Sequence, residues 1–252
     1  MSQFAFQMSV KFSFIMCAKD AGATVARAIG SLQPFAAQSE LCFVDDGSSD
    51  DTYEIALRKS EDLGMVLSSR RLDVNVGVPA ARNIAASMAA GDWLIIFDAD
   101  DECLPERINS VSLPIEVSDV VGGWAYESVG GEMTGRVMDY PPADDREIKA
   151  MLLTSWLNPM IDPTTCIRRK MFEQLGGYTE DPKWRHVQDL EFWHRAASAG
   201  ARFANVQRPL IKYSLNPSGV TQTKKQEMIQ RHGELMRMYQ SQVRRRMRPL
   251  WM

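Results

Sequence analysis

Four short apolar runs alternate with helical stretches over the first hundred residues, and that alternation restricts the fold more than any other feature of the chain. Phe12–Ala18, Leu41–Val44, Met65–Ser68 and Trp93–Phe97 read as strands. Between them, residues 23–32, 50–60 and 79–90 carry helical patterning, the second led by Ser and Asp caps and the third with Pro79 in its first turn. Strands and helices in this rhythm predict an α/β fold with a parallel sheet covered by helices on its faces. Ligands of such sheets gather at the carboxyl ends of the strands. The chain places carboxylates there: Asp45-Asp46-Gly47-Ser48-Ser49-Asp50 follows Val44, and Asp98-Ala99-Asp100-Asp101 follows Phe97.

Three carboxylates crowded at the end of a buried strand repel one another and lose water, so ionised together they are unstable in a bare protein. A divalent cation removes that penalty, and hard cations such as magnesium or manganese take oxygen ligands. The same residues also suit an acidic turn or a helix start, with Pro105 in the first turn. Asp45 and Asp46 admit two readings as well: acceptors for the ribose or a base N–H, or a capped strand-to-helix turn.

The remaining bulk properties narrow the class. With 252 residues, 45% hydrophobic and 24% charged, the chain is long enough for one large globular domain with a core. A net charge of −3 argues against a dedicated nucleic-acid binder. That average conceals a basic tail: residues 222–252 carry +6 and leave −9 for the rest. Cys17, Cys42, Cys103 and Cys166 are widely spaced with no CxxC pair, which fits reduced cysteines in a cytoplasm better than a disulfide framework or a zinc site. Met1 to Val10 lacks the basic start and long apolar stretch of a signal peptide, and no apolar run is long enough for a membrane span.

Beyond residue 105 the rhythm weakens. Val117–Val121 reads as a strand, Gly122-Gly123 and Gly130-Gly131 as turns, and 146–156 as a helix after the Pro141-Pro142 loop. Residues 164–178 carry a strand, a basic turn and Gly176-Gly177; Val187–Ala199 is helical. The last element is a helix from about Thr223 to Met247. It repeats Met228, Leu235, Tyr239 and Val243 on one face with most arginines elsewhere. Such a helix can lie on an anionic membrane or pack on the domain with a solvated basic face. Trp124, Trp156 and Trp184 belong to the core or to an acceptor-stacking surface.

Taken together, the motifs resemble the inverting, nucleotide-sugar-dependent glycosyltransferases of family 2, with the GT-A fold. The likeness runs from Phe12 to about Thr221: Val44–Asp50 is similar to the family's VDDGS-type motif. Asn75-Val76-Gly77 with Ala81-Arg82-Asn83 resembles the stretch before its metal motif, and Asp98-Ala99-Asp100-Asp101 resembles its DxD element. The resemblance implies a Rossmann-like domain over 1–221, with a nucleotide half to about 104, an acceptor half after it, and a basic helix over 222–252. It places Asp46, with Asp45, at the nucleotide base. Asp98 and Asp100 fall at the ribose and at a manganese or magnesium ion on the diphosphate, with Asp101 beside them. Arg82 falls at the diphosphate or pins one of these carboxylates.

Gly176-Gly177-Tyr178-Thr179-Glu180 and Gln188-Asp189-Leu190-Glu191 resemble the family's acceptor segment, in which an acidic pair opens a helix. Asp189 matches the general base that deprotonates the acceptor hydroxyl, and Glu191 is the fallback, though the helix turns it away. Three departures stand out: Gln188 replaces the usual Glu, Cys17-Ala18-Lys19-Asp20 lacks the family's aromatic, and Asn216 replaces a histidine near the metal. The function implied is transfer of a hexose, with inversion, to a glycan or lipid-linked acceptor by a cytoplasmic or peripherally membrane-bound enzyme. A nucleotidyltransferase and a non-catalytic nucleotide-sugar-binding protein are the alternatives.

Overall fold

The computed structural model describes residues 12–216 and 219–246. The leader expectation on Met1–Val10, Pro217, Met247 and Arg248 fall outside those residues. Strands β1 (Phe12–Ala18), β2 (Ser39–Asp45), β3 (Val66–Arg71) and β4 (Trp93–Ile96) alternate with helices α1 (Val25–Gly30), α2 (Thr52–Asp62) and α3 (Val78–Ser87). They pair in parallel in the order β3-β2-β1-β4. β1 and β2 are almost wholly buried, because helices cover both faces and leave none for water. Residues of alternating parity feed two cores. Phe14 and Met16 pack with Val25, Ile29 and Phe35 on one face, while Ile15, Val44 and Ile96 pack with Ala81 and Ala85 on the other.

The second half extends the same sheet with mixed strand directions. It contains β5 (Glu102–Cys103), α4 (Arg107–Val111), β6 (Val120–Val129), β7 (Glu132–Met138), α5 (Asp145–Thr154), β8 (Cys166–Arg168), α6 (Arg169–Gln174), α7 (Gln188–Ser198) and β9 (Phe203–Ser214). β8 lies antiparallel between β4 and β6, and β6 pairs in parallel with β9, giving a curled α/β sheet of nine strands. α8 (Val220–Thr223) and α9 (Lys225–Arg246) close the described chain.

Two elements differ from the sequence reading. Gly122-Gly123 sits inside β6 rather than in a turn, because a Cβ at Gly122 would lie 2.5 Å from Asn205 Oδ1 and one at Gly123 2.8 Å from Leu210. Those glycines admit β9 close alongside. β9 itself carries no clean period-two pattern, since Arg208-Pro209 interrupts it where the register with β6 shifts. Gly130 and Gly131, with φ of +61° and +92°, do form the β6–β7 turn.

α9 packs on the domain. Leu235 and Tyr239 are buried, Met228 packs against the same core, and Val243 remains 38% exposed. Its apolar stripe therefore faces protein. No helix among the described residues is long and apolar enough to cross a membrane, and none of the cysteines is joined in a disulfide there.

Candidate active site

A cleft of about 930 Å³ opens at the carboxyl ends of β1, β2 and β4, lined by residues from both halves. Its size is that of a small-molecule site. Asp98 and Asp100 stand on one wall and Asp189 on another. Asp46, Arg82, Lys19, Gln188 and Asn216 also line it, whereas Asp45 and Asp101 do not.

The two Asp-Asp motifs divide their labour in the same way. Asp45 is fully buried, accepts the Ser48 N–H at 2.9 Å and faces Arg71 at 3.6 Å, so it fixes the turn beneath the cleft. Asp46 accepts from Val76 N (2.7 Å), Gly77 N (3.0 Å) and Asn75 Nδ2 (3.0 Å). It thereby pins the 75–77 loop, and Gly77 with φ +92° starts α3 from that loop. Similarly, Asp101 is 1% exposed and its Oδ1 accepts from Ser214 N at 2.7 Å, tying β4 to the end of β9. The turn closed by Asp101 N on Asp98 O (3.3 Å) carries its side chain inward, away from the wall that Asp98 and Asp100 share.

Among the described residues no three His, Cys, Asp or Glu side chains cluster as a ready metal site. Two hard-oxygen carboxylates do share the cleft wall: Asp98 is paired with Arg82, while Asp100 makes no such ion pair among the described residues. Burial, then the neighbouring Asp98, pushes Asp100 up to about 6. Burial and both neighbouring aspartates drive Asp101 well above the carboxylate range, and its Oδ2 has no hydrogen-bond partner. That donor set fits magnesium or manganese with water completing the shell.

Arg82 is the cation that the carboxylates share. Its guanidinium, on α3, pairs with Asp98 on one side and Asp162 on the other. Burial would lower its pKa, but the two carboxylates outweigh that and raise it. Asp162 also accepts from Tyr178 Oη at 3.0 Å, and burial raises its pKa against the pull of Arg82. Tyr178 comes from the Gly176-Gly177 turn, whose backbone is held by Asn83: Tyr178 N donates to Oδ1 at 2.9 Å, and Nδ2 donates to Tyr178 O at 2.8 Å.

Asp189 lies in the first turn of α7, where helix N–H groups favour its charged form. Burial, then the charge of Asp162, nonetheless lifts it to about 7. Asn158 Nδ2 donates to Asp189 Oδ2 at 2.7 Å. Glu191 points elsewhere, bound by Arg195 Nε at 2.8 Å. Where the family aromatic is missing, Lys19 Nζ donates to Gly47 O at 2.9 Å and pairs with Asp20 at 3.3 Å. Asp20 adopts φ 49°, with its carboxylate bound by Ser49 N and Oγ.

The glycosyl transferase family 2 profile matches residues 13–176, more than half of the chain. The chain belongs to glycosyl transferase family 2. Its fold is similar to that of Staphylococcus aureus TarS residues 1–349 solved with UDP, at 21% identity and a TM-score of 0.69, over 91% of this chain and 65% of that one. A similar match is the mannosyltransferase PcManGT of Pyrobaculum calidifontis, solved with GDP-Man and Mn2+, at 17% identity and TM-score 0.68, covering 90% and 64%. In sequence it is 34% identical over 97 residues to the succinoglycan biosynthesis protein ExoU of Rhizobium meliloti, covering 38% of this chain and 28% of that protein. The chain spans 41% and 48% of the length of two further curated glycosyltransferases that it matches. The likenesses in structure establish the GT-A fold.

Asp162, Tyr178 and Asn158 did not emerge as site residues from the sequence. Tyr178 was visible only as part of the Gly-Gly-aromatic turn. Asn158 and Asp162 each precede a proline, which biases a polar residue to extended backbone within an apolar stretch, and that is the signal that could have found them.

Proposed function

We propose that this family 2 chain transfers a sugar from a nucleoside-diphosphate donor to an acceptor hydroxyl with inversion, using manganese or magnesium. One observation carries the reading: a single cleft has Asp98 and Asp100 on one wall and, on another, a half-buried Asp189 poised at about 7. A base near neutrality can hold a proton between turnovers and release it at working pH. Asp189 takes the proton of the acceptor hydroxyl as that oxygen attacks the anomeric carbon from the face opposite the leaving group. Asp98 and Asp100 are the residues that would hold the cation, which supplies positive charge beside the diphosphate. Asp46 and the 75–77 loop bound the nucleotide end of the cleft; Asp45 and Asp101 act from beneath, holding those walls. UDP and GDP sugars are the donor chemistry found with the structural neighbours.

The acceptor chemistry follows the same reading, a glycan or lipid-linked sugar. Any contact with an anionic membrane would use the outward basic face of α9, because its apolar stripe packs on the domain. The test is incubation of the chain with UDP-GlcNAc, GDP-Man and related donors plus Mn2+, measuring free nucleoside diphosphate. Inactivity with these donors but pyrophosphate release from a nucleoside triphosphate and a sugar 1-phosphate would instead point to nucleotidyl transfer. Full turnover by Asp189→Asn would remove Asp189 as the base.

A further inference from the structure

Asn158 lies on the loop after α5, beside the cleft, and its side chain is committed at both ends. Its Oδ1 accepts from Met160 N at 3.2 Å, and its Nδ2 donates to Asp189 Oδ2 at 2.7 Å. The first bond fixes the second. A backbone N–H can only donate, so the atom facing Met160 must be the amide oxygen and the NH2 group must face Asp189. Leu157 N donates to Ser155 Oγ at 3.0 Å and Asn205 Nδ2 to Pro159 O at 3.0 Å, so the loop is held on both sides of Asn158.

We propose that Asn158 is a positioning residue for the transfer: its amide clamps one oxygen of Asp189 and turns the other toward the acceptor hydroxyl. This rests on the reading of Asp189 as the base. A carboxylate on a flexible side chain can rotate about its last torsion, and a base that must meet a proton within hydrogen-bond reach gains from having that torsion fixed. Asn158 does this without a charge. A lysine or arginine there would hold the base ionised so firmly that it would accept a proton poorly. A carboxylate there would have to share a proton with Asp189.

The backbone N–H groups of Asp189 and Leu190 also bond the carboxylate from the helix side, and Asn158 is the side chain that bonds it from across the cleft loop. Asp162, from the turn before β8, acts through its negative charge, and Arg82, from α3, opposes it. Tyr140, from the loop after β7, and Tyr178 are both neutral phenols: burial, then Asp189, disfavours ionisation of the first, and burial, then chiefly Asp162, that of the second. Gln188 lines the cleft beside Asp189 without charge.

Two substitutions separate positioning from mere support of the loop. Asn158→Asp keeps an oxygen for Met160 N and so keeps the loop, while replacing the donor to Asp189 with an acceptor. Asn158→Ala removes both bonds. The titration of Asp189 is followed in the full chain by 13C NMR with carboxyl-labelled aspartate, assigned by its loss in Asp189→Asn. The midpoint should move up by about one pH unit in Asn158→Ala, the worth of one hydrogen bond to a charged group, and further in Asn158→Asp. With the donor that the nucleotide-sugar panel shows to be turned over, the high-pH plateau of kcat should fall about 10-fold with donor KM within twofold. Parent-like midpoints and plateaus in both variants, with Asp189→Asn inactive, would overturn the role of Asn158. Full turnover by Asp189→Asn would overturn the base assignment, and this inference with it.

Discussion

Gly176 and Gly177 are adjacent, have nearly the same positive φ (+75° and +71°), and make a matched pair for testing how the Tyr178 turn is held. An alanine at either position occupies the left-handed region, which costs about 1–2 kcal/mol for an L-residue. At Gly176 that is the whole effect, because a Cβ there would meet nothing within 4 Å. At Gly177 the Cβ would overlap Asn83 Oδ1 and come within 3.0 Å of its Cγ. Asn83 must then give up its paired bonds to the Tyr178 backbone, at 2.9 and 2.8 Å, each worth about 1 kcal/mol. The expected losses are therefore about 1–2 kcal/mol for Gly176→Ala and about 3–4 kcal/mol for Gly177→Ala. At about 2–4 °C per kcal/mol for a chain of this size, the melting temperatures should fall by roughly 5 °C and roughly 10 °C. Urea denaturation of both variants reads the difference, with m unchanged. In an Asn83→Ala background most of the excess loss at Gly177 should disappear, leaving only the contact of the new Cβ with Phe172 Cε1 at 3.2 Å. Equal losses in the two single variants would refute the reasoning.

Turnover should fall as pH drops through about 7, the point to which burial and Asp162 lift Asp189, because the base is useful only when deprotonated. At pH 6 the rate should be roughly one tenth of the plateau, and a profile flat to pH 5 would exclude Asp189 as the titrating group. Folding stability should respond in a related way. Asp100 and Asp189 hold protons in the folded chain up to about 6 and about 7, so the fold loses stability as pH climbs from about 4 into that window. Added Mn2+ should accordingly raise the melting temperature more at pH 7.5 than at pH 5, and an equal rise at both would count against Asp100 as a ligand. Leu235→Ala should destabilise by about 2–4 kcal/mol in urea, as a buried leucine does, whereas Val243→Ala should change stability by less than about 0.5 kcal/mol. Similar small effects at both positions would mean that α9 does not pack as described.

What the sequence disclosed follows from range. β1, β2 and β4 were legible because each is a short apolar run, as burial of both faces requires, while the more exposed β3 was legible from its place between two helical stretches. That Asp98, Asp100 and Asp189 would face one cleft was legible because motif and position coincide at strand or helix ends. The side-chain directions of Asp45 and Asp101 were not legible. Two adjacent acids on an extended or turning backbone point opposite ways, and which one reaches the cleft depends on distant partners: Ser48 and Arg71 for Asp45, Ser214 for Asp101. Asp162 escaped for the same reason, since its significance arises from Arg82, eighty positions earlier in the chain, and from the Tyr178 hydroxyl. The tail helix was legible as amphipathic, but amphipathicity alone does not say whether the apolar stripe meets lipid or protein.

The electrostatics of the cleft tie these residues into one argument. Asp98, Asp100, Asp162 and Asp189 line it, with Asp101 buried just beneath, and Arg82 is ion-paired to Asp98 and Asp162. The other nearby guanidiniums are engaged by different acceptors. Arg27 donates to the Asp100 carbonyl at 3.3 Å and pairs with Glu102 at 3.2 Å, and Arg107 donates to the carbonyls of Ile96 and Pro163 at 2.9 and 2.8 Å. Burial first, and then the charge of neighbouring aspartates, raises Asp100, Asp101 and Asp189. On the proposed reading a diphosphate would add more negative charge to the same wall, and a cation bound with it would offset that charge. Asp98 and Asp100 would hold that cation, and Asp100, kept protonated mainly by burial, would give up its proton to do so. On this account the acidic excess would couple donor and metal binding, and Arg82, paired with both Asp98 and Asp162, would connect that event through the field of Asp162 to Asp189, the proposed base.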